Sequence, residues 1–163
     1  MSRLVVDYPD ICCLIIGEGR KAKRLRRMIE SFGLENNVRM LGYRHDAVHL
    51  LKAVDVAVLP SLREGLGIVL IEAGFLGKPT VASNIPGIND VVISGETGVL
   101  VPPANAEALA TGIRTLLDDP LLARDLGIRA RRRMQGTFTL ETMAAEAEML
   151  YRRVIADYRQ RNA

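Results

Sequence analysis

The chain has 163 residues, the length of one ordinary domain and enough to bury a core without disulfides or metals. Hydrophobic residues make up 48% and charged residues 25%, which excludes a disordered chain; 4% aromatic residues and no tryptophan argue against a stacking surface for nucleic acid. The net charge is only +3, no apolar run reaches the roughly 18 residues of a membrane span, and no signal peptide opens the chain, so a cytoplasmic domain is expected.

In chain order, short apolar runs alternate with amphipathic stretches. Ile11–Ile16 reads as a strand buried on both faces and closed by Gly17. Cys12 and Cys13 lie inside it. Neighbours in a strand point to opposite faces, so they are expected to be small buried residues in a reducing compartment, not a disulfide or a metal pair. Residues 20–32 form a basic helix with Leu25, Met28, Ile29 and Phe32 on a buried face. Val38–Leu41 is the next strand. Asp46 is placed to cap a helix carrying Leu50 and Leu51 inward, and Asp55–Leu59 is a strand stopped by Pro60. A helix over Ile68–Leu76 ends at Gly77; Thr80–Ser83 and Val99–Val101 are strands, the second entered from the turn Gly95-Glu96-Thr97-Gly98. Asn105 caps a helix with Leu109, Ile113, Leu116 and Leu117 on one face. Beyond Pro120 the chain reads as helical to its end, with Leu140, Met143, Ala147, Leu150, Val154 and Tyr158 as the last stripe. A second basic cluster, Arg129 to Arg133, falls within this stretch. Both clusters fit a solvated helix face, or attraction to a phosphorylated ligand or an anionic membrane surface.

This alternation implies an α/β fold: a Rossmann-like parallel sheet with helices on both faces and the C-terminal helices packed on it. Ligands of such sheets sit beyond the carboxyl ends of the strands, which directs attention to the turns at 17–20, 42–46, 61–67 and 83–87.

The first turn, Gly17-Glu18-Gly19-Arg20-Lys21-Ala22, has the G-x-G-x-x-A form that lets a backbone approach a pyrophosphate at a helix start, although a plain glycine turn fits as well. No carboxylate follows the next strand, and Arg44 there could read a 2′-phosphate, which keeps an NADP-type oxidoreductase half as one alternative. The run Pro60 to Gly74 is more informative. Glu64 and Glu72 are eight residues apart, with Gly65 and Gly67 after the first. A carboxylate in the loop and another inside the helix suit an ester of two sugars joined through a pyrophosphate: one carboxylate per diol, helix amides between. The plain alternative is that the two glutamates favour the helix dipole and a local ion pair.

The stretch from Leu59 to Val101, through Glu64-Gly65-Leu66-Gly67, Glu72-Ala73, Gly77-Lys78-Pro79, Gly87 and Gly95-Glu96-Thr97-Gly98, closely resembles the C-terminal domain of retaining GT-B glycosyltransferases marked by an E-x7-E motif, family 4 or group 1. Tyr8-Pro9-Asp10 and the Gly17-Glu18-Gly19 turn extend the resemblance to the whole chain. It implies a donor-binding domain over residues 1–163 that serves sugar transfer from a nucleoside-diphosphate sugar to an acceptor with retention. It assigns Glu72 to ribose hydroxyls and Glu64, the residue nearest the chemistry, to the transferred sugar. It assigns the backbone of Gly65, Leu66, Gly67, Ile68 and Val69 to sugar and diphosphate, Tyr43 and Arg44 to the base, and the Gly17/Gly19 turn to the donor. No metal or other cofactor is implied, and His45 and His49 lack a third ligand. Pro86 and Asn89-Asp90 depart from the family pattern on the acceptor side.

The resemblance further implies that the acceptor domain, a basic pair for the diphosphate and the first strand of the donor domain are absent. The partners expected are a nucleotide-sugar, and a glycan or lipid-linked acceptor held by the absent domain, with no nucleic acid. Cell-envelope polysaccharide is the expected context, with the inner face of the membrane as the alternative location to the cytoplasm. A binding module without turnover of its own is the other alternative. Without its first strand the sheet would carry a gap between Ile11–Ile16 and Asp55–Leu59. Either Leu4-Val5-Val6 fills it, or a second copy does so by strand exchange, giving a homodimer.

Overall fold

The computed structural model describes residues 1–161. Its elements are β1 (Cys13–Ile16), α1 (Ala22–Ser31), β2 (Val38–Gly42), α2 (Ala47–Ala53), β3 (Ala57–Leu59), α3 (Ile68–Phe75), β4 (Thr80–Ser83), β5 (Val99–Val101), α4 (Ala106–Asp118), α5 (Pro120–Thr137) and α6 (Leu140–Arg161). All three strand pairings are parallel: Cys13 opposite Val38, Ala57 opposite Thr80, Val81 opposite Val99. The pairings form two sheets, β1-β2 and β3-β4-β5. In the doubly wound order 3-2-1-4-5-6, β1 and β2 correspond to positions 2 and 3, and β3, β4 and β5 to positions 4, 5 and 6. Among the described residues no strand stands at position 1.

The core is built around β4, all four of whose residues are buried. Alternation sends Val81 to one face, where it meets Val101 of β5, Leu116 of α4 and Leu126 of α5. It sends Ala82 to the other, with Leu70 of α3, Met134 of α5 and Ile85, Ile88, Val91 and Val92 of the following segment. Helices therefore cover both faces. A Cβ added at Gly127 of α5 would lie 2.1 Å from the carbonyl oxygen of Gly77, and one at Gly74 of α3 would lie 2.6 Å from Met134 Cγ. At Gly127 only glycine lets the two backbones approach so closely; at Gly74 the space is taken by the Met134 side chain.

Side-chain caps start the later helices. Asn105 accepts the Ala108 N–H at 2.9 Å, as the sequence indicates. The stretch beyond Pro120 is not one helix. Asp119 caps α5 by accepting the Leu122 N–H, Pro120 opens it, and the chain breaks at Phe138-Thr139, where the Thr139 hydroxyl accepts the Thr142 N–H.

Several expectations are corrected. Residues 1–8 wind as helical turns, with Val5 N–H donating to the Met1 carbonyl and Tyr8 N–H to that of Leu4. Leu4 is buried, and Arg114 of α4 clamps the segment through Asp7 (2.9 Å) and the Arg3 carbonyl (2.7 Å). Leu4-Val5-Val6 is therefore not a replacement strand; it is held on α4. Strand β1 is half-buried along its length, not buried on both faces, because only one of its edges is paired. Cys12 precedes β1 and is exposed, contrary to the expected burial; Cys13 is half-buried. On α1, Met28 and Phe32 remain exposed, while Leu25 and Ile29 are half-covered. Of the C-terminal helices, α5 packs against α3 and α4, whereas none of the residues of α6 is buried. No described helix is long and apolar enough to cross a membrane.

Candidate functional site

Two groups of the expected residues form at the carboxyl ends of the strands. In the first, the Gly17 N–H donates to the Gly42 carbonyl at 2.8 Å and joins the exits of β1 and β2. Gly17 has φ +117°, a left-handed conformation that side chains avoid, and both Gly17 and Gly19 face solvent. Tyr43 is exposed and meets His45 edge-on, with ring centroids 4.8 Å apart. Arg44 is not free: its Nε and Nη2 donate to the two carboxylate oxygens of Asp46 at 2.7 and 2.6 Å. This bidentate contact holds the Asp46 carboxyl below the usual carboxylate range and raises the guanidinium pKa. It also overturns the expected role of Asp46. The residue stands at the N-terminal boundary of α2, but its carboxylate serves Arg44 and caps nothing.

The second group is built on the loop between β3 and α3. Glu64 is half-buried, and its carboxylate accepts a hydrogen bond from the Ser61 hydroxyl at 3.2 Å. The exit turn of β4 presses on the same loop. Gly87, at φ +82°, sits where a Cβ would lie 2.6 Å from the carbonyl oxygens of Glu64 and Gly65. Helix α3 then begins at Gly67 without a side-chain cap. The Ile68 N–H turns back to the Leu66 carbonyl (2.7 Å), while the amides of Leu66, Gly67 and Val69 find no acceptor among the described residues. Such bare amides at a helix start, at the positive end of the dipole, favour an anion. Leu66, Ile68 and Val69 are exposed there, and Gly67 is buried against Leu59 and Leu70.

Glu72 lies in the second turn of α3, half-buried. Its carboxylate makes no hydrogen bond or ion pair among the described residues, and Glu64 makes no ion pair. The local-ion-pair explanation of the two glutamates is therefore excluded. No hydrogen bond or ion pair among the described residues links the two groups to each other.

Ser61 was not singled out by sequence reasoning; its signal is a hydroxyl three residues before the carboxylate it serves. Asn84 is the second such residue, accepting from Asn89 Nδ2 at 2.8 Å and fixing the turn that carries Gly87. His45 and His49 are both exposed, and no group of three metal-ligating side chains comes together among the described residues. Burial pushes the Cys13 thiol pKa up.

Parallel strands with helices on both faces, and functional loops at the strand exits, define this chain as a GT-B-type α/β domain. The chain belongs to the glycosyl transferases group 1 family, which it matches over residues 1–133. It is 34% identical over 153 residues to the glycogen synthase of Mycobacterium tuberculosis, covering 93% of this chain and 37% of that enzyme. Among solved structures it is similar to Anabaena Alr3699/HepE in complex with UDP-glucose, with a TM-score of 0.82 and 29% identity over 91% of this chain and 44% of that one. It also shares its fold with the C-terminal domain of a group 1 glycosyl transferase from Francisella tularensis, with a TM-score of 0.76 and 21% identity over 85% of this chain and 75% of that one. The chain thus spans about two-fifths of the full-length relatives it matches.

Proposed function

We propose that this chain binds the donor for a retaining, nucleotide-sugar-dependent glycosyltransferase. The observation that carries the reading is the pair of half-buried carboxylates, Glu64 and Glu72, without ion partners among the described residues, on either side of a helix start whose amides are open. A nucleoside-diphosphate sugar supplies what that arrangement lacks: hydroxyls for each carboxylate and a diphosphate for the amides.

In this reading Glu72 accepts from the ribose diol and Glu64 from hydroxyls of the transferred sugar, with Ser61 holding its carboxylate in place. The amides from Gly65 to Val69, Ile68 being turned away in the free chain, face the sugar and diphosphate. Tyr43 and Arg44 approach the base through their backbone, and the Gly17/Gly19 turn leaves room for the phosphates. Stabilising the departing diphosphate there asks for no metal, since the helix amides carry the complementary charge. The UDP-glucose complex of the Anabaena relative supports this donor class.

The NADP alternative is disfavoured, because Arg44, the residue that would read a 2′-phosphate, is already engaged through its Nε and Nη2 by Asp46, and because that alternative gives the paired glutamates no role. Calorimetric titration with UDP, GDP, UDP-glucose and NADP tests the reading. Saturable binding of a nucleoside diphosphate or its sugar is expected. Binding of NADP alone would overturn it.

A further inference from the structure

The loop that carries Glu64 is braced from one side by the exit turn of β4. A Cβ at Gly87 would lie 2.6 Å from the carbonyl oxygens of both Glu64 and Gly65, so backbone here packs directly on backbone. Close-packed groups transmit displacement instead of absorbing it. The place of Gly87 therefore helps to set the place of Glu64, together with the Ser61 hydroxyl on its carboxylate.

The turn is anchored at its two ends. Asn84 donates its backbone N–H to the Val101 carbonyl of β5 at 2.7 Å. At the far end Arg133 of α5 donates through Nη2 to the Asp90 carbonyl and through Nε to that of Val91, at 2.8 and 3.1 Å. One arginine of the second basic cluster is thus tied to this turn. Between the ends, the amides of Ile88 and Asn89 reach back to the Ile85 carbonyl at 3.2 and 3.1 Å, but not to Asn84. The span from Asn84 to Asn89 is closed by their side chains: Asn89 Nδ2 donates to Asn84 Oδ1 at 2.8 Å. Both asparagines are exposed, while Ile85, Gly87 and Ile88 beside them are buried. Neither asparagine fills the core, and water would satisfy either amide about as well, so the bond adds little to stability. What it fixes is the shape of the turn. Asn89 also departs from the family pattern, so this closure is a feature of the present chain.

We propose that Asn84 and Asn89 are positioning residues for the sugar-bearing end of the donor. Their hydrogen bond closes the turn, the turn seats Gly87 on the Glu64–Gly65 backbone, and the seated backbone keeps the Glu64 carboxylate within reach of the transferred sugar. Neither asparagine has to touch the donor. Glu72 is carried by α3 itself, so the ribose end does not depend on the closure. This role rests on the donor reading of Glu64 given above.

The test is calorimetry of the full chain with UDP and UDP-glucose, and with GDP and GDP-mannose, for Asn84→Ala, Asn89→Ala and the double variant, each with and without Glu64→Ala. For the pair that binds, each asparagine variant should weaken the nucleotide-sugar by about threefold to tenfold and the free nucleotide by less than about twofold. The double variant should lose no more than either single one, since one bond is broken in all three. With Glu64 already replaced, the asparagine changes should cost nothing further. In heteronuclear spectra of the ligand-free chain, Asn89→Ala should shift the amides of Ser61, Glu64 and Gly65. Equal losses for nucleotide and nucleotide-sugar, undiminished losses in the Glu64→Ala background, or unmoved Glu64 and Gly65 amides would each overturn the positioning role and leave the donor reading standing. An unaltered chain that binds neither pair would overturn the donor reading and this role with it.

Discussion

Glu72 sits on a helix with no partner for its charge among the described residues, whereas Glu64 stands in the loop and already receives the Ser61 hydroxyl. If the two carboxylates serve opposite ends of one donor, their loss has different consequences. Glu72→Ala is expected to weaken both the free nucleotide and the nucleotide-sugar, and Glu64→Ala only the sugar-bearing ligand. Each lost charged hydrogen bond corresponds to roughly 1.5–3 kcal/mol, or about tenfold to a hundredfold in affinity. Calorimetry with both ligands on both variants reads this directly; equal losses everywhere would refute the division. The two cysteines give an independent check of the geometry. Cys12 is exposed, whereas burial raises the Cys13 pKa and leaves less thiolate near neutral pH, so mass-resolved alkylation should label Cys12 first and Cys13 faster only as pH rises. At this scale the glutamates and the glycines around them were legible from their order along the chain. The partner of Arg44 was not. An aspartate before a helix suggests a cap, and nothing in the spacing says that an arginine two residues earlier takes both its oxygens.

The elements were legible where a local pattern decided them, as at the strand-and-turn run from Ala57 to Ser83. They were less so where burial depends on a neighbour. The apolar faces of β1, α1 and α6 lead one to expect full burial, but a hydrophobic pattern states only which face seeks cover, not whether an element is there to give it. The paired elements make a sharper prediction. At Gly127 an added Cβ meets the Gly77 backbone, which cannot move without separating α5 from the turn after α3. At Gly136, near the end of the same helix, nothing lies within 4 Å. Gly127→Ala should therefore destabilise by about 1–3 kcal/mol or more, and Gly136→Ala should stabilise slightly through its helix propensity. Opposite shifts in Tm are the expected result. Strand β1 offers a second test. The N–H of Cys13 donates to Asn37, toward β2, and the N–H of Ala57 to Pro79, toward β4. In parallel pairing the intervening amides of Leu14 and Val58 then point to the unpaired edges. They should exchange with solvent faster than the amides of Cys13, Ile15, Ala57 and Leu59. Protection of Leu14 and Val58 that grows with protein concentration would instead indicate strand exchange between copies.

At the scale of the whole molecule, a donor site and a transfer reaction are separable requirements. In the proposed reading the loops at the strand exits present carboxylates and amides to a donor, but transfer also needs an acceptor hydroxyl held against the anomeric carbon. Such orientation supplies several kcal/mol of barrier reduction, on the order of 7–11 where it is complete. The 163 residues span about two-fifths of the relatives they match, and the exit loops of the candidate site come from the two parallel sheets of this one chain. The purified chain is therefore expected to bind a nucleotide-sugar and to transfer no sugar, even with a competent acceptor glycan present. Transfer should appear when the complementary half of a group 1 glycosyltransferase is supplied on the same polypeptide. A chimera of that kind carrying Glu64→Ala, which keeps the fold but loses a sugar contact, should bind nucleotide and fall sharply in kcat/KM. Product analysis with a labelled nucleotide-sugar distinguishes the outcomes. Robust transfer by the isolated chain would show that one half of the cleft is sufficient.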